Sequence, residues 1–164
     1  MFDFSYLSHY QSLNDDERFM LEALREAKKA FEAEEVPVGA VIVYQGEVVA
    51  KGHNQVELLQ DATAHAEVLA IGSASSYLQN WRLKGAVLYT TLEPCPMCAG
   101  AMLLSRVERL VYGARDIRHG ACGSFIDLFE KKHPTHSMEI EGGVLESLSS
   151  EMLKQFFKLR RETV

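Results

Sequence analysis

Residues 38–52, VGAVIVYQGEVVAKG, constrain the fold more than any other stretch of this chain. VGAVIVY reads as a strand, Gln45-Gly46 as a tight turn, and 47–52 as the strand that returns beside it. Upstream, residues 15–34 place Phe19, Leu21, Leu24, Ala27 and Phe31 at helical spacing, with Asn14 or Asp15 as the cap. Downstream, Asp61 or Thr63 caps a second helix from about residue 64 to 77, and 86–91 form a third strand. An apolar helix follows Pro94 and ends near Ser105, with Pro96 suited to its first turn. A fourth strand over 107–113, a short helical piece over 125–131, a fifth strand over 138–142 and a terminal helix over 147–161 complete the order. A hairpin followed by alternating strands and helices predicts an α/β sandwich whose sheet is largely parallel after the hairpin. Helices that start just after strands put their N-termini along one edge of the sheet, where ligands usually bind.

At 164 residues the chain is expected to form one domain, 1–164, and its 47% hydrophobic and 24% charged content is ordinary for a globular protein. No apolar run approaches the ~20 residues of a membrane helix, and the N-terminus MFDFSYLSHY lacks the basic start of a secretory signal. Three cysteines, an odd number, argue against disulfides and for a reducing, cytoplasmic setting. A net charge of −6 does not by itself suggest nucleic acid. The tail 153-LKQFFKLRRE-162, with four basic residues around two phenylalanines, is either the solvated face of a terminal helix or a small basic and aromatic surface for nucleic acid.

The chemistry concentrates at 94-PCPMC-98. Cys95 and Cys98 fall on one side of a first helical turn, where the helix N-terminus favours thiolate. A redox pair, two packed core thiols and a metal pair are all open, with metal favoured because Pro-Met between the cysteines has no thioredoxin-like surroundings. Cys122, His9, His53, His119, His133 and His136 supply no second paired motif for a structural zinc. The stretch 63-TAHAEVLA-70 changes the balance. His65 with Cys95 and Cys98 makes three zinc ligands and leaves a fourth position open for water, the mark of a catalytic site. Glu67 then stands where it can handle that water's proton.

This H-x-E…P-C-x-x-C pattern resembles the cytidine deaminase superfamily. The blocks 35-EVPVGAVIV-43, 52-GHN-54, 61-DATAHAE-67, 91-TLEPCPMCAGAM-102, 113-GARD-116 and 156-FFKLRRE-162 are similar, within it, to the bacterial tRNA adenosine deaminases. The resemblance spans nearly the whole chain, with Ala62 standing where many members have proline. It implies a three-layer α/β/α sandwich with a five-stranded mixed sheet, one zinc per subunit, and hydrolytic conversion of adenosine to inosine at the wobble position, A34, of a tRNA. Glu67 is the implied proton carrier, serving the purine ring and then the leaving amine. Asn54, Asp116, Val36, Leu92, Phe156 and Arg160 are the implied substrate residues, one of the two tail phenylalanines being core instead. The implied partners are the anticodon stem-loop of an arginine tRNA and a second copy of the chain that completes each site. The rival expectations are a deaminase of free guanine or another small base, and a zinc-stabilised RNA-binding module without catalysis.

Overall fold

The computed structural model describes residues 13–162 together with Ser5; His9 lies outside them. α1 (Asp15–Glu32) is a helix specified at both levels of its sequence. Asn14 accepts from the Glu17 backbone at 2.9 Å while its own N–H donates to the Glu17 carboxylate at 3.0 Å, a reciprocal cap. Met20, Leu21, Ala23, Leu24, Ala27 and Ala30 then form one buried stripe. The helix stops two residues earlier than its periodicity suggests. Glu34 takes a left-handed φ of 61°, which turns the chain before Pro37.

The hairpin forms as read, with β1 (Gly39–Tyr44) and β2 (Glu47–His53) joined through Gln45 and Gly46 at positive φ of 52° and 80°. After one helical turn, α2 (Val56–Leu59), the chain builds α3 (Ala66–Leu78), β3 (Ala86–Leu92), α4 (Pro96–Ser105), β4 (Arg109–Ala114), β5 (Glu139–Gly142) and α5 (Glu146–Glu162). The strand order is β2-β1-β3-β4-β5. β1 runs antiparallel to both β2 and β3, whereas β3, β4 and β5 are mutually parallel, so the sheet is mixed.

The unbroken apolar run of β1 follows from burial on both faces. Ala40 and Ile42 face α3 and α4, packing with Ala66, Ala70, Cys98 and Met102. Val41 and Val43 face α1 and α5, packing with Leu21, Leu24 and Met152. Two backbone approaches depend on glycine. A Cβ on Gly39 would lie 2.1 Å from the Ala23 carbonyl of α1, and one on Gly52 would lie 2.4 Å from the Ala66 carbonyl in the first turn of α3.

Two local expectations need correction. Residues 125–131 form turns and a single bridge between Cys122 and Asp127, not a helical piece. There the Gly120 carbonyl accepts from both Phe125 and Ile126, and Asp127 accepts from the Phe129 N–H at 2.8 Å, which commits the backbone to turns. The second helix is capped by neither Asp61 nor Thr63. Asp61 accepts from the N–H and hydroxyl of Thr63, fixing the turn that holds Ala62, and His65 takes the cap position.

A charged clasp fastens the start of α1 to the sheet. Asp16 accepts from the two terminal guanidinium nitrogens of Arg109, at 2.7 and 2.8 Å, and from the Tyr89 hydroxyl at 2.8 Å. Arg109, foremost, holds the Asp16 carboxyl below its ordinary value of 3.8, against the opposing pull of burial. With a lowered folded-state value, Asp16 stabilises the fold at pH above about 3.8, and the contribution is lost as pH falls through the folded value. Asp16→Asn is expected to cost about 1–3 kcal/mol at neutral pH in urea unfolding. The gap from the wild type should close as the solution is acidified; a gap that stays constant contradicts this account.

Candidate metal centre and substrate cavity

Two helices begin at the same end of the sheet, and their cap residues face each other. His65 caps α3 with extended backbone (φ −75°, ψ 148°), and Cys95 caps α4 in the same way (φ −71°, ψ 170°). The His65 side chain makes no cap bond to its own helix, and the Cys95 thiol meets its own at Cys98. Each leaves that role to its carbonyl, which accepts from Leu69 or Ala99. The side chains are thereby free to reach across. Cys98, one turn into α4, completes the group.

The His65 Nδ1 lies 3.6 Å from Cys95 Sγ and 3.5 Å from Cys98 Sγ, and the three donor atoms all fall within 4.8 Å of one another. Zinc bonds of about 2.3 Å to sulfur and about 2.1 Å to nitrogen, at a tetrahedral angle, separate such donors by about 3.6 Å. The donor set therefore fits zinc in both chemistry and spacing. The Cys95 thiol is drawn down to about 4, first by the hydrogen bond from Cys98 and then by His65 and a backbone N–H, with burial opposing. Cys98 moves the other way, because it shares its proton with Cys95 and is buried beside Glu67. His65 is raised chiefly by Cys95. Zinc binding at these donors would release the protons they hold.

Glu67, on the first turn of α3, is only 3% exposed, and burial raises its carboxyl. Along with His65 and Cys95 it lines a cavity of about 1360 Å³. Val36, Asn54, Leu92, Asp116 and Arg160, all expected from sequence at the substrate, line the same cavity. Cys98 is wholly buried behind it. Phe156 is placed elsewhere. At 6% exposure it packs its ring edge-on to Phe31, 5.8 Å away, because Ser149, Met152 and Phe156 form the sheet-facing side of α5. Its neighbour Phe157 is 47% exposed and lines the cavity. Asp116 turns one carboxylate oxygen back to the N–H groups of Arg118 and His119, at 2.9 and 3.1 Å.

Sequence reasoning passed over two buried acids here. Glu35 accepts from the Asn54 amide at 3.3 Å and from the Leu58 N–H at 2.8 Å. The Asn54 amide nitrogen is held there, so its oxygen is left as an acceptor toward the cavity. Glu93, the acid of TLEPC, also lines the cavity. An acid within an apolar run, EVPVGAVIV or AVLYTTLEP, was the available signal for both.

A mixed sheet carrying a His-Cys-Cys donor set at two helix starts is the arrangement of a zinc-dependent deaminase. Residues 13–114 match the cytidine and deoxycytidylate deaminase zinc-binding region. The chain is 49% identical over 150 residues to a tRNA-specific adenosine deaminase of Bacillus subtilis (strain 168), covering 92% of this chain and 93% of that one. A tRNA-specific adenosine deaminase of Aquifex aeolicus (strain VF5) is 47% identical over 148 residues, with 90% and 97% covered. A solved structure from studies of A-to-I editing by tRNA:A34 deaminases superposes with a TM-score of 0.80 at 46% identity, over 83% of this chain and 99% of that one. The chain belongs to the tRNA-specific adenosine deaminases of the cytidine and deoxycytidylate deaminase family. Among the described residues, no helix is long and apolar enough to cross a membrane.

Removing one donor should empty the site. Cys98→Ser is expected to fall well below one zinc per chain by elemental analysis after dialysis, and full retention of zinc would argue against Cys98 as a ligand.

Proposed function

We propose that this chain hydrolyses adenosine to inosine at position 34 of a tRNA anticodon, releasing ammonia. The observation that carries the reading is the three-donor set at a cavity also lined by Lys154, Phe157, Arg160 and Arg161, with the buried Glu67 beside the donors. His65, Cys95 and Cys98 would hold zinc, which would supply an acidified water near neutral pH.

The chain's own residues do the rest. Glu67 takes a proton from the attacking water and passes it to the purine ring nitrogen as oxygen bonds to C6. It then takes the second proton from the hydroxyl now on C6 and delivers it to the amine as the C6–N bond breaks, so that water is consumed, C6 keeps the oxygen as a carbonyl and ammonia leaves. Val36 and Leu92 flank the flipped base, and the Asn54 oxygen accepts from the target nucleotide. Asp116, an acid facing RNA, suits ribose hydroxyls better than phosphate. Phe157 takes the substrate role expected of Phe156 and offers a ring for stacking, with Arg160 and Arg161 lining the same cavity.

Finer features belong to the same reading. The whole of 1–164 acts as one deaminase domain. An arginine tRNA is the substrate implied by the sequence resemblance. Exposed Leu58 and Leu59 on α2 and Met97 and Leu104 on α4 support a homodimer. Three free thiols, two of them zinc ligands, suit the cytoplasm.

The deciding experiment is incubation with total bacterial tRNA followed by sequencing for A-to-I changes, which should appear at position 34. Free adenosine and guanine serve as controls and should turn over poorly. Glu67→Ala is expected to keep its zinc and lose activity by about 10²–10⁴-fold or more. Wild-type turnover in that variant with zinc present would remove Glu67 from the mechanism.

A further inference from the structure

We propose that Glu93 is a positioning residue whose buried carboxylate holds the Arg115–His119 wall of the cavity in register with the metal ligands, and so sets how tightly the RNA is gripped. The proposal rests on the tRNA reading above. Glu93 is 2% exposed and stands two residues before Cys95. Its N–H donates to the Ala114 carbonyl at 2.8 Å, prolonging the β3–β4 pairing beyond Leu92 and Ala114.

The carboxylate then gathers the loop that follows β4. One oxygen accepts from the N–H groups of Cys122 and Ser124, at 3.0 and 3.1 Å. The other accepts from the Asp116 N–H at 3.1 Å and from the Ser124 hydroxyl. A carboxylate offers about four acceptor positions, and this one spends them on both ends of a single loop. Closure is tight, since a Cβ on Gly120 would lie 2.4 Å from the Glu93 carboxyl carbon and 2.5 Å from the Asp116 carbonyl. A further bond, Ala121 N–H to the Pro94 carbonyl at 2.8 Å, ties the loop to the residue preceding Cys95.

Arg115, Asp116, Arg118 and His119 of this loop all line the cavity. Zinc ligand and RNA-facing wall therefore hang from neighbouring residues of one strand end. Glutamine at position 93 keeps the size but replaces one oxygen with an NH₂ that faces N–H and O–H donors. The wall should loosen while the ligands stay in place.

The test uses zinc-loaded Glu93→Gln. Hydrogen exchange at the amides of Asp116, Cys122 and Ser124 should accelerate by about tenfold or more, with the Ala99 amide of α4 unchanged. Zinc content should stay at the wild-type level. For an anticodon stem-loop, KM should rise by about tenfold with kcat near wild type, the split expected of lost uniform binding. Gly120→Ala disturbs the same contact from the loop side and should give a similar rise. The double variant should lose little beyond the larger single effect.

Unchanged KM and exchange in Glu93→Gln, or full additivity with Gly120→Ala, would overturn the proposal. So would a loss carried by missing zinc. Should Glu93→Gln fail to fold, Ser124→Ala, which removes only the hydroxyl donor, must still raise KM at full zinc content; an unchanged KM there overturns it equally. If the wild type leaves the stem-loop untouched, the functional reading fails, whereas the exchange measurement still decides the positioning role.

Discussion

The structure turns on one requirement: donor atoms from segments about 30 residues apart in sequence must meet at a separation of 3.5–3.6 Å. The chain meets it by making the ligands helix caps. A cap residue sits at the junction of extended and helical backbone, so its position is fixed by the helix after it and the strand or turn before it. His65 and Cys95 each occupy such a junction, and the first turns behind them bring Glu67 and Cys98 into place. Both helix N-termini also direct their positive ends at the thiols, which favours thiolate where zinc needs it.

Beside this metal site the cavity wall is built differently. Asn54, Asp116 and Phe157 come from a strand exit, a loop and a terminal helix, each held by a separate device. Glu35 orients Asn54, Glu93 gathers the loop, and the core packing of Phe156 sets the face that Phe157 presents. The division is physically sensible. Bond chemistry at zinc tolerates little displacement, whereas recognition of an RNA loop can be altered piecemeal by residues that do not touch the metal.

Much of this was legible in the sequence because the signals were local. The apolar run of β1, the Gln45-Gly46 turn, the Asn14–Glu17 cap and the paired H-x-E and C-x-x-C motifs each declare themselves within a few residues. What escaped was set by distant partners. α2 is a single turn whose Leu58 N–H finds an acceptor in Glu35, far upstream, so no periodicity announces it. Glu35 and Glu93 read as ordinary acids because the N–H groups they satisfy arrive from other parts of the chain. Phe156 and Phe157 are equivalent in composition, and only the sheet beneath α5 decides which ring turns inward. The segment 125–131 carries apolar residues at a plausible spacing, yet Gly120 and Asp127 bind the nearby backbone into turns.

Gly52 gives the sheet a mechanical connection to the metal. β2 is an edge strand, and at Gly52 nothing but backbone separates it from the turn that follows His65. No side chain stands between them to repack and absorb a displacement. α4, whose start carries both thiols, shares one apolar cluster with α3 and β1 through Cys98 and Met102. A shift of the outer edge of the sheet therefore reaches the helix that His65 caps through backbone alone, and the metal site inherits the stiffness of that contact.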